Sequence, residues 1–227
     1  MNRTEMLTEL REVLDDASTS FTSWSDSRLL AYLSEGQDKF CEDTGFFRDA
    51  SSYTIVLVAG TASYSIPARA IQLLDIYDGT TKLGKIYTGS ELDGVIQSDL
   101  STAQPGRPTQ WKTDLTTGSI LLRPTPSTAE AGVILSLRVW RYSLYDLAGV
   151  ALLGAPATPE IPTRVQRACV EWAAYKAFSH HDAETQDPIK ARDHKENYKE
   201  YVADGRRMFD RMHNIETRLV PNPTYVA

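Results

Sequence analysis

The sequence predicts an α+β protein, a helical bundle built from N- and C-terminal helix pairs with an antiparallel β-domain inserted in one of its connections. Three observations predict it. Apolar residues recur at steps of three and four before residue 50 and again after residue 160, as in amphipathic helices. Between them the pattern changes to short alternating runs cut by Ala59-Gly60, Asp78-Gly79 and Thr117-Gly118 at hairpin distances. A stretch with Pro156 and Pro159 then separates the strand-like from the helical pattern. The expected division is N-terminal helices over 1–50, the β-domain over 51–147, a linker over 148–160, C-terminal helices over 161–213 and an extended arm over 214–227.

Met6, Leu7, Leu10, Val13 and Leu14 describe one stripe behind Thr4, the expected N-cap, and this first helix is expected to end near Asp16. Past the serine- and threonine-rich residues 17–22, Ser25 or Asp26 can cap a second helix bearing Leu29, Tyr32, Leu33, Gly36 and Phe40, which Thr44-Gly45 stops. Strands are expected over 53–58, 62–66, 71–77, 82–87, 109–113, 119–122 and 133–142. In the last, Val133, Leu135, Leu137 and Val139 alternate with Ile134, Ser136, Arg138 and Trp140, so one face belongs to a core. Residues 90–100 read as a short helix crossing the sheet.

Beyond the linker, Thr163 and Gln166 have capping-box spacing ahead of Val165, Cys169, Trp172 and Tyr175. Asp187-Pro188 combines an N-cap with a proline at the first helical position, and Ala191, Tyr198, Val202, Gly205, Phe209 and Met212 follow on a near-heptad seam. Residues 214–227, with Leu219, Val220, Pro221, Pro223, Tyr225 and Val226, lack helical periodicity and are expected to be extended.

Composition narrows the function. The 227 residues are 41% hydrophobic with 13 glycines, close to the globular average, which excludes disorder along the whole chain. Apolar and glycine runs such as Gly149 to Ala155 are far short of the roughly 18 residues of a membrane span. The first residues hold Glu5, Glu9, Glu12, Asp15 and Asp16 and show no secretory signal, so assembly in a cytoplasm is expected. Cys41 and Cys169 read as buried thiols on helix faces. Net charge is −6, and residues 1–50 hold 5 basic and 11 acidic side chains, so the excess is N-terminal. A protein that grips DNA through phosphates needs a basic face, and no segment supplies a strong one.

The residues nearest to a catalytic pattern are His180, His181 and Asp182 with Asp187, Asp193 and His194, ligand types of a metal-dependent enzyme. Adjacent histidines cannot both point to one side of a helix, and the stronger reading is a helix end with caps. Nucleophile elbows, SxxK and glycine-rich phosphate loops are absent from the sequence. Gly79, Gly84, Gly89 and Gly94 fall in turns. Trp111, Trp140, Tyr142 and Tyr145 could line a sugar-binding face of a carbohydrate-binding tail module, although such residues more often fill a sheet core. No catalytic residue, metal or cofactor is expected. The apolar, proline-containing tail suits an extended peptide that docks on a partner, or an end folded back on its own bundle.

The order YSIP (Tyr64 to Pro67), a hydrophobic run from Ile71 to Leu83, PGRPTQW (Pro105 to Trp111), SILLRPTP (Ser119 to Pro126), a strand ending in Arg141-Tyr142, and PEIP (Pro159 to Pro162) resembles the adaptor, or head-to-tail connector, proteins of tailed bacteriophages. The pieces describe a scaffold, since prolines end strands by removing ladder donors. The resemblance implies a structural, non-enzymatic virion protein at the head-tail junction. It implies a homo-oligomeric ring of twelve copies beneath the portal, which binds the portal and tail proteins (nozzle, stopper or tail tube) and lets DNA pass during genome ejection. It also implies a C-terminal arm on the portal, here Arg218, Leu219, Val220, Pro221, Pro223 and Tyr225. Glu5, Glu9, Glu12 and Asp15 are then expected to face the lumen, where carboxylates repel passing DNA.

Overall fold

The computed structural model describes residues 1–16, 23–86, 104–114, 118–145, 147, 158–180 and 186–214. Helices α1 (Arg3–Val13) and α2 (Asp26–Thr44) come first. Strands follow as β1 (Phe47–Val56), β2 (Ser63–Ser65), β3 (Ala70–Asp78), β4 (Thr81–Lys82), β5 (Gly84–Lys85), β6 (Gln110–Asp114), β7 (Ser119–Arg123) and β8 (Ile134–Arg141). Helices α3 (Arg167–Phe178) and α4 (Pro188–Asn214) close the order. The protein is α+β and divides into two compact units, Met1–Phe47 with Tyr142–Ala227, and Arg48–Arg141. The expected crossing helix over 90–100, the serine- and threonine-rich 17–22, most of the linker and residues 215–227 of the C-terminal arm lie outside the described residues, while Asn214 ends α4.

In the helical unit α3 packs against α1, α2 and α4. Ala168, Cys169, Ala173, Ala174 and Ala177 are fully buried on it, and such small side chains let neighbouring backbones approach. Burial of Met6, Leu10, Leu29, Leu33 and Phe40 matches the expected stripes of α1 and α2. The first cap is Asn2, not Thr4. The Asn2 side chain accepts from the Glu5 amide at 2.9 Å, and the Glu5 carboxylate accepts from the Asn2 amide at 2.8 Å, a reciprocal pair that starts the helix before Thr4. Ser25 caps α2, and Gly45 at φ 60° ends it in a left-handed turn. Asp187 Oδ1 accepts from the amides of Ile189 and Lys190, both at 3.0 Å, and so caps α4 as its sequence suggests. Thr163 caps nothing. Thr163–Val165 is a 3-10 turn, and the Gln166 side chain donates back to the Ile161 carbonyl at 3.0 Å.

Among the described residues the strands make two four-stranded sheets, ordered β1-β8-β3-β4 and β2-β7-β6-β5, where the turn spacing suggests one. Pairing is antiparallel for β2 with β7, β3 with β4 and β8, and β6 with β7, whereas β5 pairs with β6 in parallel through Gly84 and Lys85. Both sheets feed one apolar core. Leu73, Ile76, Leu135, Leu137 and Val139 come from the first, Trp111, Ile120 and Leu122 from the second. The alternation along β8 is in the expected phase.

β1 begins six residues before its predicted start because a buried ion pair, not apolar alternation, holds its first half. Asp49 Oδ2 accepts from Arg141 Nε at 2.8 Å, and both side chains are about nine-tenths buried. Asp49 also accepts from the amides of Ser51 and Ser52 and from the Ser52 hydroxyl. Burial alone would raise its pKa, but these hydrogen bonds and the guanidinium outweigh that and hold it at about 2.

Candidate functional site

Among the described residues no group of three or more His, Cys, Asp or Glu is placed to hold a metal ion. His194 is instead a structural link, its Nδ1 lying 2.7 Å from Glu171 Oε2 and its ring stacked on Phe178 with centroids 5.5 Å apart. The His180 ring meets Trp24 edge-on at 5.6 Å. Asp187 is spent on the α4 cap and Asp193 is exposed, while His181 and Asp182 lie outside the described residues. Trp111 is fully buried in the β core, so it cannot present a ring to a sugar. Trp140, Tyr142 and Tyr145 are half-buried.

Polar ties run between the helices, among them Lys176 to Glu35 at 2.9 Å and two larger groups. The first is centred on Glu171 of α3, which accepts from Asn197 at 3.2 Å, faces His194, and lies 3.5 Å from Arg167, which also reaches Glu9 of α1 at 3.1 Å. Burial pushes the Glu171 carboxyl up, yet the bonds to His194 and Asn197 and the positive charges nearby bring it below the ordinary glutamate value. In the second tie the Tyr198 hydroxyl donates to Asp43 Oδ2 at 2.8 Å, with burial and that carboxylate both raising the phenol pKa. Arg206 donates from Nε and Nη2 to the Asp43 carbonyl at 3.0 and 2.7 Å, which satisfies an orphan carbonyl in the last turn of α2. These two groups link α1, α3 and α4, and α2 with α4.

Glu5, Glu12 and Asp15 are exposed and Glu9 is half-buried. Together with Thr8, Val13 and Arg167 the three glutamates line a groove along α1. The stripe is thus not purely acidic, because Arg167 stands against Glu9. Sequence spacing aligned the glutamates, since positions 5, 9 and 12 share a helix face, but it could not reveal Arg167, which arrives from α3. The Asn2 cap was readable as the box Asn2-x-x-Glu5. Arg218, Leu219, Val220, Pro221, Pro223 and Tyr225 lie outside the described residues.

No helix among the described residues is long and apolar enough to cross a membrane. No curated protein matches the chain. The family model described as SU10 adaptor protein matches residues 1–221, and so spans both compact units. The chain belongs to the SU10 adaptor protein family, a family of phage head-tail adaptors.

Proposed function

We propose that this protein is a structural, non-enzymatic component of the virion, a helical bundle with an inserted β-domain. Twelve copies form an adaptor ring that joins the portal to the tail and lines the passage through which DNA leaves the head. The observation that carries this reading is the family match over residues 1–221, which takes in the helical unit and the β unit alike. Support comes from the helical unit, where chain segments far apart in sequence are tied by polar links such as Tyr198 to Asp43 and Arg167 to Glu9. A net charge of −6 favours release of passing DNA over retention. The partners in this reading are the portal protein, tail proteins and further copies of the chain.

The C-terminal arm is the proposed portal contact, through Arg218, Leu219, Val220, Pro221, Pro223 and Tyr225. Deleting residues 214–227 is expected to leave the thermal unfolding midpoint nearly unchanged and to weaken capture by purified portal at least tenfold. Portal pull-down of full-length and truncated chains checks this, and equal capture of both would remove the arm assignment. Failure of the full-length chain to bind portal would count against the adaptor role itself.

A further inference from the structure

Past Gly205, α4 outruns α2. Gly205 lies against Phe40 and Thr44 in the last turn of α2, and Arg206 closes that turn through Asp43. The following residues, 207–214, extend about 12 Å further at 1.5 Å per residue. They continue the seam with Met208 and Phe209, both half-buried, and Met212, which is 52% exposed. Arg207 and Arg211 are exposed beside that seam, Arg207 also pairing with Asp204 one turn back at 3.0 Å, and Asp210 is the one carboxylate within 207–214. An apolar stripe flanked by guanidinium groups suits a surface that is itself acidic and partly apolar.

The same chain carries such a surface. The groove along α1 presents Glu5, Glu9 and Glu12 over Val13, with Arg167 beside Glu9 and the N-terminal ammonium 3.9 Å from Glu5, and Asp15 is exposed just past the helix. We infer that the two surfaces meet between neighbouring copies, with the arginine-flanked end of α4 of one copy lying in the acidic groove of α1 of the next. The inference rests on the ring reading above and names the contact that builds it. If each copy uses its α4 end on one neighbour and its α1 groove on another, the contact is heterologous, and a heterologous contact generates a ring when its rotation closes. The carboxylates that charge counting alone would assign to the DNA passage are then covered by a neighbour's arginines. Charge pairs at the rim of such a contact make its formation depend on salt.

Charge reversal on the full-length chain tests this. Arg207→Glu with Arg211→Glu, and separately Glu12→Lys with Asp15→Asn, are each expected to raise the concentration for half-assembly at least tenfold, measured by sedimentation or mass photometry with and without portal. The combination of both sets is expected to recover most of the loss, while circular dichroism melting stays at the wild-type midpoint. If a reversal disturbs melting, Arg207→Gln with Arg211→Gln carries the same test with a smaller expected loss. Assembly of the reversed variants at wild-type concentration, or a loss that the combination does not restore, would overturn the α1 to α4 contact and leave the ring reading standing. A wild-type chain that stays monomeric both alone and on portal would overturn the ring reading.

Discussion

Replacing Gly36 by valine is expected to lower the unfolding free energy by roughly 3 kcal/mol, at the upper end for overpacking a tight interior. A Cβ at position 36 would stand 2.9 Å from the Cys169 carbonyl oxygen and 3.0 Å from the Cys169 Cα, so the obstacle is the backbone of α3. No rotamer change can clear it. Helix propensity runs the other way, since alanine is favoured over glycine in a helix interior by about 1 kcal/mol. Gly36→Ala is therefore expected to cost less than valine, about 1 kcal/mol net, and a stabilised alanine variant would show that the α2–α3 approach is looser than described. Gly205 gives the internal comparison. A Cβ there would meet Phe40 Cζ at 2.5 Å, a side chain that can be shortened, so Phe40→Leu is expected to rescue part of the loss in Gly205→Ala and none of the loss in Gly36→Ala. Urea unfolding of Gly36→Val, Gly36→Ala and Gly205→Ala, the two alanine variants with and without Phe40→Leu, and of Phe40→Leu alone checks both statements.

Removing one member of the Asp49–Arg141 pair is expected to cost a similar amount. Asp49→Ala leaves a buried guanidinium without its carboxylate, and breaking a buried pair from one side destabilises by roughly 3 kcal/mol. The pair also has a pH signature. The folded pKa of Asp49, about 2, lies below its ordinary value of 3.8, so the folded state binds its proton more weakly than the unfolded state does. Its contribution, about 2 kcal/mol by linkage, is fully present above roughly pH 4 and is lost as pH falls toward 2. Wild-type stability should fall over that window by more than that of Asp49→Asn, whose side chain does not titrate. Parallel slopes for the two proteins below pH 4 would show that the carboxylate is not stabilised as its hydrogen bonds imply.

Much of the fold was legible because much of it rests on local rules. The α2 stop at Gly45, the α4 start at Asp187-Pro188 and the inward phase of β8 each follow from a few neighbouring residues, and each is found where those residues stand. β1 was half missed for the opposite reason. Phe47 to Ser52 has no alternation to read; it lies beside β8, where Asp49 meets an arginine 92 positions away. The short β4 and β5 show the same limit. One run was expected over 82–87, yet Lys82 pairs back to Tyr77 in one sheet while Gly84 pairs with Gln110 in the other, so the chain changes sheets within three residues. Trp111 was read both as a possible exposed platform and as core, and only its surroundings separate the two.

For the candidate surfaces the sequence supplied one partner of each contact. It aligned Glu5, Glu9 and Glu12 and placed Gly36 and Gly205 on apolar seams. It did not supply Arg167 for Glu9, Cys169 for Gly36 or Phe40 for Gly205.

By itself, then, the sequence determined the α+β class, most helix ends, the buried faces and the adaptor family, because periodicity, caps, turns and ordered proline motifs are written in short stretches of chain. The tertiary structure alone decided that the described strands split into two sheets around one core, that Asp49 finds Arg141, and that Gly36 and Gly205 lie where a neighbouring helix leaves no room for a side chain. Those features depend on which residues meet across large separations, and a side chain's energy there is set by the neighbour it meets.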